Sequence, residues 1–348
     1  MPSGARPARE LSFLTDDRVA LFGEEAGGED TEGSSREAEG EVRAGAGGVP
    51  IVLLHGLTAT RRYVVMGSRL LERSGYRVIA YDARGHGRSG PALDPRAYGY
   101  ERLARDLGCV LDALEIPRAA LAGASMGAHT ILRFALEHPE RVAAMGLVTP
   151  SFDPSDPTAA VEHTGDVPAT GARALDASFE GDREAGVGSL AGGREAEIGP
   201  PEGSRGALAR GLRDGGVEGF LRAYDFSTVP PAWRETVETV VRQRLCAHEH
   251  PEAVADALEV VPRSRPFEDF AELGAIAAPT VVVASRDEVD PGHPLAVAER
   301  YARAIPGATL TVEDGGVGGQ PIRSPIAWQG GQLSKVLLEL LGRARCEQ

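Results

Sequence analysis

Ala119 to Ala122 is a short apolar run that leads straight into Gly123-Ala124-Ser125-Met126-Gly127, and Gly127 to His138 then reads as a helix. No other feature constrains the fold as much. A buried strand that reverses into a helix within five residues needs a tight, strained turn. Gly123 and Gly127, having no Cβ, let strand and helix approach closely. The serine between them is expected at the carboxyl end of a sheet, beside a helix N-terminus that favours a developing negative charge.

The segments around this turn alternate in the way a parallel sheet requires. Pro50 to Leu54 is a continuous apolar run, as expected of a strand buried on both faces. A helix is expected over Val65–Ser74, a strand over Tyr76–Tyr81, an amphipathic helix over Tyr98–Leu114 and a strand over Val142–Val148. After Pro279 the pattern resumes. Thr280–Ala284 and Ala308–Val312 read as strands, and His293–Ile305 and Trp328–Leu341 as helices. Strands and helices in alternation imply a mostly parallel twisted sheet with helices on both faces and right-handed crossovers.

Two regions break the pattern. Residues 24–48 are rich in Gly and Glu and poor in large apolar residues, so they are expected to be disordered. Residues 151–262 form an insertion, expected as a helical cap. Its first part, 151–215, is Gly-, Glu-, Asp- and Pro-rich and largely disordered by composition. Helices are expected at Val217–Tyr224, Ala232–Ala247 and Glu252–Val260. The domain expectation is a disordered tail at 1–10, a core of 11–150 plus 263–348, and the cap between them. Leu11–Gly23 reads as a hairpin turning at Thr15-Asp16-Asp17.

Composition excludes several chemistries. The net charge of −14 argues against nucleic acid as a partner. There is one lysine, Lys335, in a terminal amphipathic helix and badly placed for a Schiff base, and there is no asparagine for a Cys-His-Asn site. Cys109, Cys246 and Cys346 are odd in number and widely spaced, which suggests neither a disulfide framework nor a zinc site. No apolar run reaches the roughly 18 residues of a membrane span, and the N-terminus has no signal-like core. A cytoplasmic protein without metal or cofactor, acting on a small molecule, is the expectation. The sequence carries no signal for oligomeric state.

Four pieces of text occur in order: Leu53-Leu54-His55-Gly56, Asp82-x-Arg84-Gly85-His86-Gly87-Arg88-Ser89, Gly123-x-Ser125-Met126-Gly127, and Asp287-x-x-x-Pro291 after a Val-rich strand. Together they resemble the α/β-hydrolase superfamily, in the group with a cap inserted after the sixth strand. The resemblance covers residues 49–150 and 263–341. It implies Ser125 as nucleophile and the backbone N–H groups of Leu57 and Met126 as oxyanion donors. Asp287 is implied as the triad acid, with Glu288 and Asp290 crowding it and Asp153 as a second location. The superfamily spans esterases, thioesterases, peptidases and acyltransferases, so fold does not fix the reaction.

One departure stands out. The family places its histidine between the last strand and the final helix, and Glu313 to Ala327 contains none. If Ser324-Pro325 matches the family's His-Ser-Pro text, Arg323 holds the base position, and an arginine cannot accept the serine proton. Three explanations compete. His293, six residues after Asp287, serves as base. Another histidine reaches in, from His129, His248 or His250. Or the site has no histidine base, and the protein binds ligands or hydrolyses slowly. The leading reading is a serine hydrolase of small, largely apolar carboxylic esters. Acyl transfer is an alternative, since Gly-Ala-Ser-Met-Gly followed by alanine resembles the elbow of homoserine acyltransferases. A non-catalytic binding protein on the same fold is a third.

Other residues invite a role. Arg61 and Arg62 are candidates for binding a carboxylate by paired hydrogen bonds, and Trp233 and Tyr224 for lining an acyl pocket. Solvation and core packing are the plainer readings for them. Ala327-Trp328-Gln329-Gly330-Gly331 is distinctive text to which no mechanism attaches.

Overall fold

The structure, a computed structural model, describes residues 8–28, 48–155, 205–229, 231–286, 292–312 and 330–346. Eight strands form one sheet: β1 (Arg9–Leu14), β2 (Ala20–Ala26), β3 (Ile51–Leu54), β4 (Val78–Tyr81), β5 (Ala119–Ala124), β6 (Val142–Val148), β7 (Thr280–Ala284) and β8 (Thr309–Val312). Their spatial order is β1-β2-β4-β3-β5-β6-β7-β8. β1 and β2 pair antiparallel, β2 lies antiparallel to β4, and β3 to β8 are parallel. After β3 the chain moves to one side for β4 and to the other for β5. Open parallel sheets place their ligand crevices at such a reversal, at the carboxyl ends of the strands.

β3, β4, β6 and β7 are buried along their whole length, which is why they read as unbroken apolar runs and not as alternating ones. Helices cover both faces. Helix α2 (Tyr100–Ala113) turns Leu103, Leu107, Val110 and Leu111 inward at helical spacing. With α3 (Met126–Glu137) and α7 (Leu295–Ala304) it closes one face, in a core that includes Val52, Leu121, Ile131, Phe134, Val282 and Tyr301. The short α1 (Leu70–Arg73) and the final α8 (Gly330–Cys346) close the other, against Leu53, Ala122 and Val283.

Between β6 and β7 come α4 (Arg205–Ala223), α5 (Arg234–Leu245) and α6 (Pro251–Val260). They share a small core of Ala209, Leu212, Phe220, Leu245, Val254 and Leu258. A second cluster joins Ala253, Ala257 and Val261 to Tyr98, Tyr100, Leu103 and Met126 of the sheet domain.

Some boundaries differ from the sequence reading. The hairpin begins at Arg9, inside the segment expected as a tail, because Arg9 lies opposite Glu25 and forms an ion pair with it. For the same reason β2 continues to Ala26, into the stretch expected to be disordered. Helix α4 starts at Arg205 instead of Val217. Its two arms bend at Gly215 and Gly216 and fold together so tightly that a Cβ on Gly211 would sit 2.5 Å from the Gly219 carbonyl oxygen. That close approach offsets the poor helix propensity of five glycines. Residues 29–47 and 156–204, for which disorder was expected, lie outside the described residues.

Candidate functional site

Ser125 sits between β5 and α3 with φ 49° and ψ −112°, a conformation that non-glycine residues rarely adopt. Its neighbours hold it there. The Ser125 N–H donates to Val148 O at 2.9 Å, and the His129 N–H donates to Ser125 O at 3.1 Å. A Cβ on Gly123 would lie 2.4 Å from the Gly127 carbonyl carbon, and one on Gly127 would lie 2.4 Å from Leu54 O. The turn therefore excludes any side chain at either glycine. Ser125 is half-buried, at the carboxyl edge of the sheet.

His293 lies in the loop between β7 and α7, just before Pro294. Its Nε2 is 3.0 Å from Ser125 Oγ. Serine hydroxyl and imidazole, 168 residues apart in the chain, thus meet at hydrogen-bond distance, the geometry a general base needs.

The remaining histidines near the site are already committed. The His129 Nε2 accepts two backbone N–H groups, from Ser151 and Phe152, both at 3.1 Å. Its Nδ1–H therefore points at Tyr100 Oη, 3.0 Å away. Burial, reinforced by nearby His293, holds its pKa down to about 3. The His248 Nδ1 accepts the Gly87 N–H at 2.8 Å, so its Nε2–H donates to Thr58 O at 3.0 Å. Burial lowers its pKa to about 4. His250 holds the N-cap position of α6 with no side-chain cap hydrogen bond, its backbone carbonyl accepting the Ala253 and Val254 N–H groups at 3.1 and 3.3 Å. Among the described histidines, His293 is the one whose ring lies within hydrogen-bond distance of Ser125 Oγ.

The loop after β3 borders the serine. His55 accepts the Ala83 N–H through Nε2 at 2.8 Å and directs Nδ1–H at Gly56 O, also at 2.8 Å. Both nitrogens are used, and burial pulls the pKa down, so His55 is a neutral structural group. The position a Cβ would take on Gly56 is 3.5 Å from the Ser125 Cβ. Leu57 follows immediately, and Met126 is the first residue of α3. A helix's first N–H groups have no acceptor within the helix.

Asp287, with Glu288 and Asp290, lies outside the described residues, as do Arg323 and residues 327–329, while Gly330 and Gly331 open α8. Asp153, the alternative acid, forms an ion pair with Arg300 and accepts hydrogen bonds from Ser155. Arg61 and Arg62 are spent on the chain's own carboxylates. Arg61 pairs with Asp82 and Glu24, and Arg62 with Glu24 and Glu72. Tyr224 packs between Phe220 and Phe226 with its ring tilted to both. Sequence reasoning missed Arg244, whose Nη2 donates to Leu57 O at 2.9 Å and Thr58 Oγ1 at 3.0 Å. An arginine 187 positions away from its partner leaves no local signal. Among the described residues no cluster of three or more His, Cys, Asp or Glu could hold a metal ion. No helix among them is long and apolar enough to cross a membrane.

Comparison with known proteins gives the same architecture. The family described as alpha/beta hydrolase fold matches residues 49–185. A relative in Variovorax paradoxus, named as the carbamate hydrolase RutD, is 31% identical over 271 residues, covering 78% of this chain and 85% of its own. A 2-hydroxy-6-oxononadienedioate/2-hydroxy-6-oxononatrienedioate hydrolase of Cupriavidus pinatubonensis is 28% identical, over 77% of this chain and 80% of its own. Among solved structures, an esterase from Thermogutta terrifontis superposes with a TM-score of 0.63 at 20% identity, covering 97% of this chain and 99% of that one. The chain belongs to the α/β hydrolase fold family and stands among its hydrolases.

Proposed function

We propose that this protein hydrolyses small, largely apolar carboxylic esters through an acyl-enzyme on Ser125, with His293 as the base. The observation that carries this reading is the 3.0 Å contact between His293 Nε2 and Ser125 Oγ. His293 takes the serine proton as Oγ attacks the ester carbonyl. The oxyanion is held by the N–H groups of Leu57 and Met126, at a helix N-terminus that favours negative charge. His293 then gives its proton to the departing alkoxide. Water enters, is deprotonated by His293 as it attacks the acyl carbonyl, and the carboxylic acid leaves as the C–Oγ bond breaks and His293 returns the proton to Ser125 Oγ. Asp287, six residues before His293, is the proposed partner of its second nitrogen. The preference for apolar acyl groups rests on Leu57, Met126 and Tyr100 packing with Ala253 and Val261 from beyond β6.

A fluorophosphonate probe, with mass spectrometry of the modified peptide, tests the nucleophile and base together. Labelling is expected at Ser125, abolished in Ser125→Ala. In His293→Ala it is expected to fall about 10²- to 10⁴-fold, the usual contribution of a positioned general base. Hydrolysis of p-nitrophenyl butyrate should fall in parallel. A well-folded wild type that neither labels nor hydrolyses overturns the reading. Undiminished labelling of His293→Ala overturns the base assignment alone. For the acid, Asp287→Asn is expected to lower kcat at least about tenfold, while Glu288→Gln and Asp290→Asn stay near wild type. Equal losses from all three would remove Asp287 from the mechanism.

A further inference from the structure

The oxyanion loop is held from two sides, and the second side has no role in the chemistry described so far. The peptide unit that carries the Leu57 N–H also carries Gly56 O. A trans peptide points its N–H and C=O in opposite directions. Gly56 O accepts His55 Nδ1–H at 2.8 Å and the Ala59 N–H at 3.0 Å. Those two bonds fix the direction of the Leu57 N–H from the sheet side.

The next peptide unit, Leu57–Thr58, is held from the helices between β6 and β7. Arg244, on the last turn of α5, donates through Nη2 to Leu57 O at 2.9 Å and to Thr58 Oγ1 at 3.0 Å. Its guanidinium lies 4.6 Å above the Tyr63 ring. His248, just beyond α5, donates to Thr58 O at 3.0 Å. The Glu249 N–H donates to Gly87 O at 2.8 Å, and Gly87 returns its own N–H to His248. Thr58 has φ 62°, an unfavourable conformation for a β-branched residue. Such a backbone persists only where its surroundings overdetermine it. Arg244 has no carboxylate partner among the described residues, and its Nε is buried without one. Its hydrogen bonds go to this loop.

We propose that Arg244, supported by His248, is a positioning residue for the oxyanion hole. α5 completes the site by locking the peptide on the far side of Leu57. This rests on the proposed role of the Leu57 N–H. With Arg244 in place, both peptide planes flanking Leu57 are fixed and the N–H is aimed before substrate arrives. Without it, Thr58 relaxes and the donor swings off line. The loss then appears in the transition state, where the oxyanion exists, and not in ground-state binding.

The test is steady-state hydrolysis of p-nitrophenyl butyrate by full-length wild type, Arg244→Ala, Arg244→Lys and Arg242→Ala. Arg242 lies on the same helix but pairs with Glu218 and Glu238 on the exposed side. Removing an oxyanion donor outright costs about 10²- to 10³-fold in kcat. Misaiming one, as in Arg244→Ala, is expected to lower kcat about 10- to 100-fold with KM within about twofold. Arg244→Lys should recover part of the loss, and Arg242→Ala should match wild type. If Arg244→Ala does not fold, Thr58→Val removes one acceptor of the same clamp and should lower kcat in the same sense. A loss confined to KM, or an unchanged kcat, overturns the inference and leaves the serine hydrolase standing. A wild type that shows neither turnover nor fluorophosphonate labelling at Ser125 removes both.

Discussion

Ser125 occupies a backbone conformation that costs about 1–3 kcal/mol in a residue with a Cβ, and the protein retains it beside His293. Such strain has a measurable signature. Ser125→Gly removes the steric penalty, whereas Ser125→Ala keeps it. The glycine variant is therefore expected to be more stable than the alanine variant by about 1 kcal/mol, after the entropy that glycine loses on folding. Urea unfolding followed by circular dichroism reads this directly. Equal midpoints would mean that the strain relieved does no more than offset the entropy that glycine loses, about 0.5–1 kcal/mol. Legibility at this scale was uneven. Ser125 could be read because its glycines sit beside it in the chain. His293 could be named only as one of several candidates, since what selects it is a 3.0 Å approach between loops 168 residues apart. His129 is nearer in sequence and packs within the same region, yet it spends both nitrogens on Ser151, Phe152 and Tyr100. Which nitrogens are already bonded is not written in the order of residues.

Several elements were visible in the chain because each buries a continuous apolar surface: β3, β4, β6 and β7 as strands, α2 as a helix with one inward stripe. The first arm of α4, from Arg205 to the bend at Gly215, was not, because packing between Gly211 and Gly219 overrides local propensity. The loop after β4 shows how elements are tied together. The fully buried Arg84 donates Nε and Nη2 to the Asp106 carboxylate of α2, at 2.7 and 2.6 Å. Through its other contacts it reaches Asp17 in the β1–β2 turn, at 2.9 and 3.0 Å. Hairpin, loop and helix thus share one buried cation. Asp106→Asn keeps the shape but removes the counter-charge and one acceptor. It is expected to destabilise by about 3–5 kcal/mol, as breaking a buried pair does, and denaturant titration measures it. A change below about 1 kcal/mol would show that Asp17 alone suffices.

For the molecule as a whole, acid sensitivity follows from histidines kept neutral in the folded state. His129 and His248 have their pKa values lowered from 6.5 to about 3 and about 4, in both cases chiefly by burial. The unfolded chain takes up protons below pH 6.5 that the folded chain refuses, so the full contribution is present above 6.5 and is lost as pH falls. Each group removes about 1.4 kcal/mol per pH unit in that window. Because the slope is only half as steep at pH 6.5 itself, the pair should cost about 3 kcal/mol from pH 6.5 to 5. His55 and His86, likewise lowered by burial, act in the same direction. Urea midpoints measured from pH 7.5 to 5 should fall steeply, and His129→Gln should flatten the slope. A flat wild-type profile would mean that these rings are protonated in the folded protein.

The placement of His293 ahead of Pro294 also bears on how enzymes are told from their inactive cousins. On the base assignment proposed for His293, a survey that asks for an imidazole downstream of the final strand would pass this chain over. A serine hydroxyl, however, responds to the nearest available nitrogen and not to its rank along the polypeptide. If His293 carries the proposed role, counting functional members by the order of their catalytic letters undercounts those in which one letter has moved to an adjacent strand.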